Sequence, residues 1–173
     1  MLMGFLTTLI MSYSGATILF LLILWCYRPF RKIRNSYLSI SNLIAMVSGI
    51  LLTEEMIRNY IINALKYADY TYLQYSLRYL IIAIFCTGVL PLFFLAPRLR
   101  TNVKFTLIVV ILLPFVSLYE RFYIIITNYF RDYLPSSWAY YRSSYLEIAC
   151  WPLGYFLAVL LLTRIKRAIP KKG

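Results

Sequence analysis

Five long apolar runs, separated by short polar links, limit what this chain is able to fold into. The runs cover roughly residues 4–27, 38–62, 73–95, 103–130 and 144–163. A helix needs about 20 mostly apolar residues to cross the hydrocarbon core of a membrane, and each run is long enough. Hydrophobic residues make up 62% of the chain and charged residues only 14%, too few to cover a soluble globule. The sequence therefore predicts an all-α membrane protein, a single transmembrane domain of five helices.

The basic residues of the links predict how these helices are oriented. They cluster after the first run, after the third run and at the C-terminus. In that order the clusters are Arg28, Arg31, Lys32 and Arg34; Arg98, Arg100 and Lys104; and Arg164, Lys166, Arg167, Lys171 and Lys172. If the spans alternate, all three clusters lie on one side, which the positive-inside rule places in the cytoplasm. The sequence thus predicts an external N-terminus and a cytoplasmic C-terminus.

The composition argues against several classes of function. The net charge of +12 is explained by the basic links, so we expect no nucleic-acid partner. The chain has no His, which removes the commonest metal ligand and the usual general base. We therefore expect neither a catalytic residue nor a metal site on this chain. Cys26, Cys86 and Cys150 lie in apolar surroundings without CxxC spacing, and we expect them to be small buried side chains.

Seven charged residues are predicted to lie within the membrane, near its outer face. Counted at about 1.5 Å of rise per residue, they fall near one depth on four different spans. They are Glu54, Glu55, Arg58, Arg78, Glu120, Arg121 and Glu147. Two interpretations stay open: the groups pair to hold helices together, or they line a proton route or lie close to quinone. Arg58 is one turn from both Glu54 and Glu55, so local pairing is available.

Prolines and glycines inside the runs predict distortions and close contacts. Pro91, Pro114 and Pro152 each remove a backbone hydrogen bond and favour a kink. Gly15 and Gly49 favour close contact between helices.

The most distinctive motif is ERFYIIITNYFRDYLPSSW, residues 120–138. Its second half is predicted to leave the membrane through Arg131 and Asp132. A turn at residues 134–137, built around Pro135, would follow, because proline presets the backbone for a turn. Trp138 would then anchor the chain at the outer interface.

This motif resembles a signature of the NrfD/polysulfide-reductase family of integral membrane subunits, in the branch found in bacterial alternative complex III. Shorter stretches resemble other family positions in the same order along the chain. They are residues 28–32, Thr53-Glu54 with Tyr60, and residues 100–102. The resemblance covers nearly the whole chain but only the C-terminal half of the family's length. It implies a four-helix bundle with one additional peripheral helix.

The resemblance also implies a function and a set of partners. It implies an integral subunit of a respiratory complex that oxidises quinol in the energy-conserving inner membrane. The partners would be an extrinsic iron–sulfur subunit, a complementary or full-length NrfD-like subunit, other integral subunits and lipid. Quinol, iron–sulfur clusters and haem would belong to the complex, with no cofactor bound by this chain. Phe130 stands where the family commonly has His, and the half credited with the quinone pocket is missing, so we expect a structural role with a proton route as an open addition.

A second class of function also fits the charged residues. A small transporter or channel subunit would use them as an ion site near the outer face. Such a protein would purify as a homo-oligomer, whereas a respiratory subunit would bring iron–sulfur and haem proteins with it.

Overall fold

The chain folds into helices joined by short links, and no strand occurs among residues 2–66, 70–115 and 136–168, which the computed structural model describes. Side chains are described for residues 3–62, 64–66, 77–115 and 150–168. The described α-helices are α1 Leu2–Cys26, α2 Arg34–Lys66, α3 Tyr70–Ala83, α4 Leu90–Leu92, α5 Pro97–Arg100, α6 Val103–Leu112 and α7 Ser136–Ala168.

Three described helical segments are long and apolar enough to cross a membrane: Met3–Cys26, Arg34–Lys66 and Leu77–Leu95. They correspond to the first three predicted spans. Helix α6, the beginning of the fourth predicted span, is a shorter apolar helix, and residues 116–135 lie outside the described part of the chain. The chain is therefore a helical protein with membrane-spanning character, and the count of five spans stays a prediction.

Helix α1 ends where the sequence prevents its continuation. Tyr27 is extended (φ −127°, ψ 102°), and Pro29 follows inside a 3₁₀ turn over Arg28–Lys32. Proline has no N–H to continue the hydrogen bonding of an α-helix, but it fits the first turn of a new helix. The turn returns the chain along α1, so α1 and α2 pack as an antiparallel pair.

The third span is distorted around Pro91, as the sequence predicts. Between α3 and α4 the backbone forms a π-helical turn over Ile84–Val89. Pro91 has no N–H to donate to the carbonyl of Thr87, four residues earlier, and its ring would crowd that carbonyl in a regular helix. The Thr87 carbonyl oxygen lies against α2, where a Cβ added to Gly49 would be only 2.3 Å away. The predicted close contact at Gly49 is thus confirmed, and it lies beside the distortion.

The predicted contact at Gly15 is confirmed as well. Helix α7 packs across α1 and α2, and a Cβ added to Gly15 would lie 3.1 Å from the ring of Pro152. Nearby, Phe20 stacks on Tyr37 with ring centroids 3.7 Å apart, and Phe156 packs on both rings. Aromatic side chains of three helices therefore pack together in the described core.

Two expectations, one about the turn at residues 134–137 and one about the cysteines, are wrong. Helix α7 begins at Ser136, so Ser136 and Ser137 are helical rather than part of the predicted turn. Cys86 is buried, but Cys26 and Cys150 are exposed, and all three thiols are free. Apolar neighbours in sequence do not distinguish a helix face packed on another helix from one that faces outward, which is why the prediction failed for these two.

The basic stretches that the structure describes come together at one end of the protein. The Arg167 guanidinium donates a hydrogen bond to the carbonyl of Lys32, which joins the end of α7 to the first link. Arg31 and Arg34 of that link line a groove together with Val103, which belongs to the second basic stretch. We call this end of the described structure the basic end.

Candidate functional site

Of the described members of the predicted charged layer, three are exposed and the fourth, Glu55, is partly buried. Glu54 is exposed on α2, and Arg78 is exposed on α3. Glu55 forms an ion pair with Arg58, one turn away, and the Glu55 side chain is 13% exposed while that of Arg58 is 61% exposed. Glu54 and Glu55 are both within one helical turn of Arg58, and the ion pair forms with Glu55. Because both partners belong to α2, this ion pair joins no second helix.

The remaining predicted site residues are not described in the structure. Glu120, Arg121, Arg131, Asp132 and Pro135 lie outside the described residues. The backbone at Trp138 and Glu147 belongs to α7, but their side chains also lie outside the described set. The predicted meeting of all seven charges at one depth therefore stays a prediction.

The described interior is held instead by uncharged polar side chains, centred on Asn42 of α2. The Asn42 carboxamide oxygen accepts a hydrogen bond of 2.8 Å from the Tyr13 hydroxyl of α1. Its amide nitrogen donates to the hydroxyl of Thr106 of α6 at 2.8 Å and to the backbone carbonyl of Arg100 at 2.7 Å. Asn42, Tyr13 and Thr106 are all fully buried. One side chain thus connects α1, α2, α5 and α6.

A second branch of this network connects α1 and α2 with α7. The Ser41 hydroxyl lies 3.4 Å from the hydroxyl of Thr17 and 3.3 Å from that of Tyr155. The Tyr155 hydroxyl also donates to the Ser41 carbonyl at 3.2 Å. We call these seven residues the polar network: Tyr13, Thr17, Ser41, Asn42, Arg100 through its carbonyl, Thr106 and Tyr155. Groups of this kind fix the register of membrane helices, because an unpaired polar atom in an apolar interior is costly.

A separate hydroxyl pair connects α2 with the distorted third span. The hydroxyls of Thr53 and Thr87 are 2.8 Å apart, so that one donates to the other, and each also lies within hydrogen-bond distance of a carbonyl of its own helix, that of Gly49 or of Ala83. This pair fixes α2 next to the π-helical turn.

The Arg100 guanidinium has a structural role at the basic end. It donates to the carbonyls of Phe94 (2.9 Å) and Leu95 (3.1 Å), at the end of the third span, where carbonyls lack helical donors. Asn102 then caps α6, since its side chain accepts hydrogen bonds from the backbone N–H groups of Lys104 and Phe105. Arg100 and Asn102 thus provide hydrogen-bond partners for carbonyls at the end of the third span and for N–H groups at the start of α6.

Sequence reasoning missed the polar network. The available signal was the pair Ser41-Asn42 inside an apolar run, because an Asn with no water around it needs several partners. Charged residues were more conspicuous in the sequence. Among the described side chains, however, no charged side chain is buried.

Two grooves open at the basic end. The α1–α6 groove has a volume of about 540 Å³ and is lined by Ile18, Leu21, Leu22, Leu24, Trp25, Arg31, Arg34, Val103 and Leu107. The α7 groove has a volume of about 660 Å³ and is lined by Tyr27, Pro29, Phe30, Ile33, Leu160, Thr163, Arg164 and Arg167. Each has mainly apolar walls and two arginines. Within the described part of the chain, no group of three His, Cys, Asp or Glu residues is placed to hold a metal ion.

Comparisons of the chain with protein-family models, with curated proteins and with solved structures give no match.

Proposed function

We propose that the chain is an integral membrane subunit of a respiratory quinol-oxidising complex similar to alternative complex III, and that its role there is structural. The single observation that carries the proposal is the nineteen-residue stretch from Glu120 to Trp138, which resembles the NrfD-family signature apart from Phe130, where the family commonly has His. The proposed arrangement is five spans, as a four-helix bundle with one peripheral helix, with the N-terminus outside and the C-terminus in the cytoplasm.

The described contacts support a structural role. Asn42 alone connects α2 with α1, α5 and α6, and its partners are other uncharged or backbone groups. Chemistry on quinol needs a group beside the ring that is free to exchange a proton, whereas Asn42 and the hydroxyls of Tyr13 and Thr106 are already engaged with one another. An interior of this kind holds helices in place for neighbouring subunits.

The contacts at the basic end support the proposed orientation. The hydrogen bond from Arg167 to the Lys32 carbonyl joins the C-terminal basic cluster to the one after α1. Asn42 contacts the carbonyl of Arg100, which belongs to the remaining basic cluster. Clusters on one side are what positive-inside insertion requires.

The alternative to a purely structural role is a proton route through Glu54, Glu55, Glu120 and Glu147. Glu54 is exposed and Glu55 is paired with Arg58 on the surface of α2, so the route would run between this chain and a partner subunit. Quinol would bind elsewhere in the complex, and iron–sulfur clusters and haem would be held by partner subunits.

The test is purification of the tagged full chain from its native membrane in mild detergent, followed by identification of all co-purifying proteins. We expect an extrinsic iron–sulfur protein, a haem protein and an NrfD-like subunit in fixed ratio to the chain. A homo-oligomer without these proteins would contradict the proposal and favour the transporter or channel alternative.

A further inference from the structure

The α1–α6 groove runs from the basic end into the apolar depth of the protein. Trp25 lies at the end of α1, whereas Ile18, two turns earlier, lies about 10 Å deeper. Arg31 and Arg34 lie at the shallow end. A ligand that fits must therefore be anionic at one end and apolar over at least this length.

The groove is also open on its outer side. Leu22 is 55% exposed, Trp25 is 82% exposed and Leu107 is 40% exposed, although all three line it. Helix α1 is long and apolar enough to span a membrane, and in that placement a groove open on this side is accessible from the bilayer. A ligand is thus able to enter sideways from the membrane, without passing through water.

The charges at the shallow end favour an anionic ligand. Residues 28–34 carry four basic side chains and no acid, and residues 98–104 carry three basic side chains and no acid. The Arg100 guanidinium is occupied by the carbonyls of Phe94 and Leu95. Arg34 donates its Nε–H to Asn35, but a guanidinium has five N–H donors and binds a phosphate with two of them. Arg31 and Arg34 are therefore the groups available to a phosphate at this groove.

We propose that the α1–α6 groove is a binding site for an acidic phospholipid. The headgroup phosphate lies at Arg31 and Arg34, and an acyl chain follows the wall formed by Trp25, Leu22 and Ile18. Free phosphate would leave the apolar wall uncovered, and a lipid without net charge would leave the basic residues without a counter-charge. Acidic lipids attract basic residues that lie at the surface of a membrane, and the shallow end of this groove carries such residues. The site does not depend on the proposed respiratory function.

The test uses Trp25 as a probe inside the groove. The chain has three Trp, so the variant W138F/W151F retains Trp25 alone. The full-length variant is reconstituted into phosphatidylcholine vesicles that contain a small fraction of either brominated phosphatidylglycerol or brominated phosphatidylcholine, and bromine quenching of Trp25 fluorescence is measured. We expect the acidic lipid to be preferred at Trp25 by about fivefold for each arginine, the equivalent of about 1 kcal/mol per basic residue. Equal quenching by the two lipids would overturn the proposal.

Matched charge variants locate the preference. In the W138F/W151F background, R31Q/R34Q removes two charges at the groove, and we expect the preference to disappear. R98Q/K104Q removes two charges from the same end at residues that do not line the groove, and we expect the preference to persist. Loss in both variants, or in neither, would contradict a site at Arg31 and Arg34.

Loss of the preference on addition of inorganic phosphate at constant ionic strength would also overturn the proposal of a lipid site, because a free anion would then fill the site. Circular dichroism of each variant checks helix content, and the lipid comparison in W138F/W151F itself decides the proposal if R31Q/R34Q does not fold.

Discussion

The two halves of helix α2 are built on different principles. In the basic-end half, residues 34–48, the side chains of Tyr37, Ser41, Asn42 and Ala45 are fully buried. In the far half, residues 53–66, charges are carried at the surface, and Ile61, Ile62 and Leu65 are more than half exposed. The comparison teaches that uncharged groups with several partners specify the packing of this protein, whereas its charges lie where other molecules or solvent meet it.

The largest expected effect on the free energy of unfolding comes from replacing Asn42, the centre of the polar network in the basic-end half. Asn42→Leu has a similar shape but removes three hydrogen bonds and leaves the Tyr13 and Thr106 hydroxyls without this partner. We expect about 3 kcal/mol of lost unfolding free energy, measured by titration with sodium dodecyl sulfate and circular dichroism. The matched control is Ser48→Ala, since Ser48 is buried but bonds only carbonyls of its own helix. Equal effects for the two variants would contradict the role assigned to Asn42.

The next effect lies at the junction of the two halves. Gly49→Ala places a methyl group 2.3 Å from the Thr87 carbonyl oxygen, so α2 must move away from the π-helical turn. We expect destabilisation by about 2 kcal/mol in the same titration. Gly154→Ala is the control and should be neutral or slightly stabilising, because its methyl group meets open space and alanine favours helix. If Gly49→Ala is also neutral, the close approach of α2 to the third span is wrong.

A smaller effect is expected at the link of the basic end. Arg100→Gln loses the hydrogen bonds to the carbonyls of Phe94 and Leu95. Because the link is partly exposed and water replaces some of these bonds, we expect about 1 kcal/mol of destabilisation. Arg98→Gln, at an exposed neighbouring arginine, controls for the loss of charge. An effect of Arg98→Gln as large as that of Arg100→Gln would assign the loss to charge rather than to capping.

The smallest effect is expected in the far half. Glu55→Gln breaks the ion pair with Arg58, which lies within one helix and is largely exposed on the arginine side. Such pairs contribute about 0.5 kcal/mol or less, so we expect little change in the titration. Destabilisation comparable to that of Asn42→Leu would remove the distinction between the two halves.

The sequence predicts the helices well and their contacts poorly. The runs that begin near residues 4, 38 and 73 correspond to helices, since an apolar run of this length is a strong signal by itself. Close packing at Gly15 and Gly49 and a distortion at Pro91 also follow from residue type.

The faces of those helices could not be predicted in the same way. Whether Asn42 is buried depends on Tyr13 and Thr106, which are 29 and 64 residues away in the sequence. Cys26 and Cys150 look buried in sequence because lipid-facing and core-facing positions have similar composition, since lipid is as apolar as a helix interface. The charged layer attracted attention because charges are rare here, but rarity does not show which residues form the interior.

The most direct test of a structural role is the rate of quinol oxidation per assembled complex in two variants. We predict that Asn42→Leu lowers the amount of complex in the membrane while each assembled complex keeps its rate. Glu54→Gln/Glu55→Gln should leave both the amount and the rate unchanged. A large fall in rate per complex in Glu54→Gln/Glu55→Gln, with the amount of complex unchanged, would contradict a purely structural subunit and establish that the charged layer takes part in turnover.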